Sequence, residues 1–260
     1  MAAVVAGGIR IAYRRRGHGA SLVLFHGAFE DSRVWSDTLD RLSPHADVVA
    51  WDGPGCGASD DVPAEWTDRD WADAAADFLR ALHVTRPCVA GLSLGSVLAL
   101  LLARDHPESL GSLVLVGAYA GWGGSLTPEA LTQRIEATRF TLTHPVSEWA
   151  DDFIDSVLAA DAPPERRRKA RALLDDWRPA TTAAVLDVMV QDLRPALAGI
   201  RTPTVVVRGT NDARSPRQAS LDIVSAMPHA RLVQIPGAGH DCSGADLDAV
   251  LLAAAQARPL

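Results

Sequence analysis

The sequence predicts an α/β protein, with a mostly parallel central sheet, helices on both of its faces and one all-helical insertion. Three observations predict it. Short runs nearly continuous in Val and Leu recur along the chain (LVLF, VVAW, LVLV, VVVR), as strands covered on both faces require. Segments of helical pattern alternate with them over most of the length. The alternation breaks only between about residues 121 and 198, where helical patterns follow one another without a strand.

Taken in order, the opening MAAVVAGGIRIAYRRRG places its basic residues after a short apolar stretch, the reverse of a secretory signal. It reads as a strand and turn, with the strand at residues 10–14. Further strands are expected at 21–25, 47–51, 87–90, 112–116, 204–208 and 231–235, each a short apolar run. Helices are expected at 34–42, 71–82, 94–105, 216–226 and 245–257. In the insertion, Pro128, Pro145, Pro163-Pro164, Pro179 and Pro195 divide the helical patterns. Ligands bind at the C-terminal edge of parallel strands, so an insertion between two such strands is expected to lie over that edge as a lid. The expected organisation is a core domain of residues 1–120 and 199–260 with a lid of residues 121–198.

At 260 residues, 48% hydrophobic and 22% charged, the chain is long enough for a substantial core and unlike a disordered or fibrous one. Twenty-five Lys and Arg against 32 Asp and Glu leave a net charge of −7, which argues against a nucleic-acid partner. The basic run Arg166 to Lys169 is flanked by Asp161, Glu165, Asp175 and Asp176 and reads as a solvated helix face. No apolar stretch reaches the ~20 residues of a bilayer span, so a membrane partner is not expected and the cytoplasm is the default location. Cys56, Cys88 and Cys242 are odd in number and lack CxxC spacing, so neither a disulfide framework nor structural zinc is implied.

The sharpest motif is Gly91-Leu92-Ser93-Leu94-Gly95, a GxSxG between an apolar strand and the helical run SVLALLLA. That context suits a nucleophile elbow, a turn so tight that Ser93 takes strained backbone angles and small neighbours let the chain pass. A Gly-rich helix start capped by Ser93 is the competing reading. A serine hydroxyl needs a base, and the base needs an orienting anion. His240, in PGAGH, follows one strand, and Asp212, in GTND, follows another, both at C-terminal ends. Other histidines show no matching pattern. Asn211 cannot carry charge, Asp241 is adjacent to His240, and Asp61 and Asp105 lie outside strand-end loops. The oxyanion of a tetrahedral intermediate would be met by the N–H of Leu94, at a helix start, and that of Ala28, in the loop after LVLF. His26 is expected to hold the shape of that loop rather than to act as a second base.

With HGAF, DGPGCGAS, GLSLGS, GTND and GAGH in this order and approximate spacing, the chain resembles the α/β-hydrolase superfamily over nearly its whole length. The resemblance implies the α/β-hydrolase fold and hydrolysis of esters, lactones or thioesters, in some branches of C–C bonds, through an acyl-serine. Branches that act on alkyl halides or epoxides place Asp at the elbow, which Ser93 argues against. Perhydrolases, haloperoxidases, lyases and cyclases on the same fold remain open, as does a non-catalytic ligand receptor.

Phe29, Trp122 and Met189 are candidate pocket residues, although aromatics on lid helices often pack against the sheet domain instead. The expected partner is a small, uncharged ester or lactone. No motif offers a carboxylate clamp, though Arg139 or Arg217 could act as one. No cofactor or metal is expected, because Cys242 and His240 lack a third ligand nearby.

Overall fold

The computed structural model describes residues 1–63 and 65–257; residue 64 and residues 258–260 of the expected core range lie outside the described residues. Eight strands form one sheet: β1 (Ala2–Ala6), β2 (Ile9–Arg16), β3 (Ser21–Phe25), β4 (Asp47–Trp51), β5 (Cys88–Leu92), β6 (Ser112–Val116), β7 (Thr204–Gly209) and β8 (Ala230–Ile235). The spatial order is β1-β2-β4-β3-β5-β6-β7-β8. β1 and β2 are antiparallel to their neighbours, and the strands from β4 to β8 run parallel.

The helices are α1 (Ser36–Leu42), α2 (Asp68–Ala81), α3 (Leu94–Asp105), α4 (Pro128–Thr143), α5 (Ala150–Val157), α6 (Pro164–Asp175), α7 (Pro179–Met189), α8 (Arg194–Leu197), α9 (Arg217–Ala226) and α10 (Ala245–Gln256). Alternate strand residues point to opposite faces, so each apolar run supplies two cores at once. Val23, Phe25, Val49, Trp51, Leu113 and Leu115 face α2, α3 and α9, whereas Leu22, Leu24, Val48, Ala50, Val114 and Val116 face α1 and α10. Nearly every residue of α3 is buried, which is why its sequence lacks a polar stripe.

Two differences from expectation have a clear local cause. The opening segment is a hairpin rather than a single strand, because Gly7 and Gly8 both take positive φ and close a two-residue turn between β1 and β2. α2 begins at Asp68, three residues before its first large apolar side chain, where Thr67 and Asp70 form a capping box. The segment 121–198 carries α4 to α8 and no strand among its described residues. It has two packing partners. α7 joins the sheet core through Val185, Val188 and Met189, while α5 and α6 build a third core with Phe29 around Trp149, Ile154 and Leu174.

Candidate active site

β5 runs to Leu92, two residues beyond expectation, and delivers Ser93 directly into α3. Ser93 sits at φ 52° and ψ −109°, a region costly for a residue with a Cβ. Its conformation is held from several sides: its N–H donates to Val116 O at 2.9 Å, and its carbonyl accepts from Ser96 Oγ at 2.6 Å. A Cβ on Gly91 would strike the carbonyl of Gly95, and one on Gly95 would lie 2.5 Å from the carbonyl oxygen of Phe25. The turn therefore demands glycine on both sides of the serine. The amide of Leu94 opens α3, where N–H groups have no intrahelical acceptor.

Asp212 and His240 come together from the ends of β7 and β8. His240 Nδ1 lies 3.0 Å from Asp212 Oδ2 and 3.1 Å from Oδ1, and both side chains are buried. Asp212 Oδ1 also accepts from the backbone N–H groups of Arg214 and Ser215, each at 2.9 Å. Burial opposes ionisation of Asp212, but the His240 contact and the two amides outweigh it and hold the carboxyl below its usual range. His240 N–H donates to Val157 O at 2.8 Å, which ties the histidine loop to α5. His240 Nε2 is buried and has no hydrogen-bond partner among the described residues.

Ala28, Ser93 and His240 line one cavity together with Glu30, Phe153 and Arg214. At about 10 Å³ it is the size of a single water. A larger, open cavity of about 710 Å³ lies between α4 and α5, and Phe29, Phe153 and Arg214 are on its wall. Phe29 packs among Trp149, Phe153 and Trp177 and takes a positive φ of 65°.

Two of the candidate pocket residues are placed elsewhere. Trp122 and Met189 belong to the core beneath the sheet domain, joined by a hydrogen bond from Trp122 N–H to Met189 O at 2.6 Å, and neither lines the two cavities. The reason is that α7 lies against the sheet domain, so its apolar side chains fill that core. Arg139 and Arg217 are exposed and line neither cavity.

His26 sits beneath the β3 loop, with Nδ1 2.8 Å from Gly27 O and Nε2 accepting from Gly53 N–H at 2.8 Å. Burial lowers its basicity, and both ring nitrogens are engaged in holding the loop. Asp241 pairs with Arg166 rather than His240. Among the described residues, no group of three His, Cys, Asp or Glu side chains could hold a metal ion, and no helix is long and apolar enough to cross a membrane.

Glu30, Phe153 and Arg214 were not singled out from sequence. Arg214 carried a usable signal, since it lies two residues after Asp212 in the same strand-end loop. Glu30 carried a similar signal, two residues after Ala28 in the loop that follows β3, whereas Phe153 carried none, because its approach to Ser93 depends on how the insertion folds back.

Residues 22–254 match the model of the Alpha/beta hydrolase family. The chain is 29% identical over 239 residues to RutD of Pantoea ananatis, provisionally named a carbamate hydrolase, covering 88% of this chain and 84% of that protein. It is 30% identical over 235 residues to the pimeloyl-[acyl-carrier protein] methyl ester esterase of Nitrosomonas europaea, covering 86% and 90%. Among solved structures, a thermophilic esterase from Thermogutta terrifontis with malate bound superimposes with a TM-score of 0.82 at 26% identity, covering 94% of this chain and 91% of the other. A family match that runs from β3 into α10 takes in the sheet, the serine turn, the insertion and the Asp212 and His240 loops together, and the chain belongs to the alpha/beta hydrolase family.

Proposed function

We propose that the protein is a serine hydrolase that cleaves a carboxylic ester or lactone. Ser93 Oγ attacks the carbonyl carbon while His240 Nε2 takes its proton, and Asp212 orients and stabilises the imidazolium. The N–H groups of Ala28 and Leu94 meet the oxyanion. Collapse of the intermediate breaks the C–O bond, the leaving oxygen takes the proton from His240, and water then releases the acid by the same steps in reverse. No cofactor is required by this chemistry. The helical segment 121–198 acts as a lid, since the cavity at Ser93 holds no more than one water and Phe153 and Val157 of α5 help close it. Phe29, on the larger cavity, contributes to the acyl pocket.

The observation that carries the assignment is one shared cavity lined by Ser93, on a strained strand-to-helix turn, and by a buried His240 whose Nδ1 is bonded to Asp212 and whose Nε2 has no hydrogen-bond partner among the described residues. The esterase names of two relatives accord with it. Incubation with a fluorophosphonate followed by peptide mass spectrometry tests it: the adduct is expected on Ser93, and nitrophenyl ester turnover should fall by several orders of magnitude in Ser93→Ala. A folded protein left unlabelled at Ser93 would overturn the assignment.

A further inference from the structure

Several arginines of this chain meet carboxylates. Arg15 meets Asp47, Arg33 meets Asp31, Arg104 meets Asp105 and Arg178 meets Asp61. Arg208, buried without a carboxylate, donates instead to the carbonyls of Gly209 and Asp212. Arg214 fits neither pattern. It lines both the Ser93 cavity and the larger one between α4 and α5. Its Nη1 donates to Ser156 Oγ at 2.8 Å and its guanidinium lies 4.7 Å over the Phe153 ring, but no carboxylate among the described residues lies within ion-pair distance.

A second guanidinium approaches the same wall. Arg134 of α4 donates through Nη2 to Arg214 O at 3.1 Å and through Nη1 to Tyr119 Oη at 3.4 Å, with the Trp122 ring 5.6 Å away. Burial and the charge of Arg134 push Arg214 down to about 10, so it is still a cation at neutral pH. Counter-charge is scarce on this wall. The Asp212 carboxylate is committed to His240 and two amides, and Glu30, half-buried and pushed up to about 8 by desolvation, accepts from Gly27 N–H and lies outside ion-pair distance of Arg214. Glu136, Glu148 and Asp152 also border the larger cavity, but they are exposed and solvated at its rim.

Two like charges on one cavity wall are unfavourable until an anion joins them. The planar fork of a guanidinium matches a carboxylate with two parallel hydrogen bonds. We propose that Arg214, assisted by Arg134, binds a free carboxylate on the substrate, so that the preferred ester or lactone is also an acid, a proposal that rests on Ser93 acting as the nucleophile. On this proposal the substrate is an anion, where the sequence led to the expectation of an uncharged one.

The test compares matched esters. Monomethyl succinate, adipate and suberate are set against methyl butyrate, hexanoate and octanoate, and acetoxyacetate against ethyl acetate for a carboxylate on the alcohol side. The wild type is expected to favour the acid in at least one pair. Arg214→Met should cut that acid-over-neutral ratio of kcat/KM by about 10–100-fold, mainly through KM, as loss of a charged hydrogen-bonded pair does. Arg214→Lys should keep part of the ratio, and Arg134→Met, on the more open α4, should lower it less. Adipate should slow fluorophosphonate labelling of Ser93 in the wild type and not in Arg214→Met.

Wild-type ratios at or below one in every pair, or equal losses on acid and neutral esters in Arg214→Met, would overturn the proposal. Absence of labelling at Ser93 would instead refute the hydrolase assignment. In that event the carboxylate site is decided by whether adipate raises the melting temperature of the wild type and fails to raise that of Arg214→Met.

Discussion

Gly117 follows β6 at φ 53°, and a methyl group built there would lie 2.7 Å from His240 Cε1 and 2.8 Å from Nδ1. Carbon atoms in contact stand ~3.5 Å or more apart, so in Gly117→Ala the imidazole must retreat by roughly 0.8 Å or the β6 loop must shift. Retreat has a direct consequence, because the ring is held by Asp212 on one edge and, in the proposed mechanism, serves Ser93 from the other. A displacement on the order of 1 Å at a reacting group lowers turnover by about 100-fold. The left-handed backbone adds a stability cost of about 1–2 kcal/mol for alanine, which in a chain of this length lowers the melting temperature by a few degrees. Nitrophenyl ester kcat/KM and the rate of fluorophosphonate labelling should fall together, with melting followed by circular dichroism. Gly8→Ala is the control: its φ of 79° imposes the same backbone strain, but nothing lies within 4 Å of the added methyl. Gly117→Ala retaining activity within threefold of wild type while folded, or Gly8→Ala losing as much, would refute the steric account.

Asp212→Asn should lower kcat by about 10³–10⁴-fold with little change in fold, because the amide cannot stabilise the imidazolium; activity within tenfold of wild type would be incompatible with an orienting role for Asp212. Glu30 has its folded pKa raised to about 8 from 4.5, first by burial, so the folded state keeps a proton that the unfolded state loses across that window. Its contribution therefore declines as pH rises from about 4.5 towards 8, and Glu30→Gln, which can still accept from Gly27 N–H, should show a smaller drop in melting temperature between pH 5 and pH 8. Equal drops in both proteins would remove Glu30 from the pH response. Met189→Ala should cost about 2–5 kcal/mol in urea unfolding while leaving acyl-length preference unaltered, since Met189 fills the core rather than either cavity; a changed length preference would return it to the pocket.

Much of the scaffold could be read from the chain because it rests on local pattern. Val and Leu runs such as LVLF and LVLV have no helical period and no polar face, which leaves a doubly covered strand as their stable setting. Gly91 and Gly95 mark a turn that side chains would block, and that constraint points to Ser93 before any coordinates are known. The same logic placed Asp212 and His240 at strand ends, and the fold brings their side chains into hydrogen-bond contact. The opening hairpin was legible in principle, in its Gly-Gly pair, but the alternating edge strand before it is a weak signal.

What the sequence by itself determined, then, is the sheet, the serine turn and the order of the three candidate side chains, because each follows from contacts between residues close along the chain or from one strand's own pattern. The tertiary structure alone decided where the helices of 121–198 lie. A helix shows which face is apolar but not which of two apolar surfaces it will cover, and so Met189 turned to the sheet core, where Trp122 from the segment before α4 joins it, while Phe153 turned to Ser93. The same holds for Arg214, whose setting in both cavities, with no carboxylate in ion-pair distance among the described residues, is fixed by Phe153, Ser156 and Arg134 arriving from other parts of the chain.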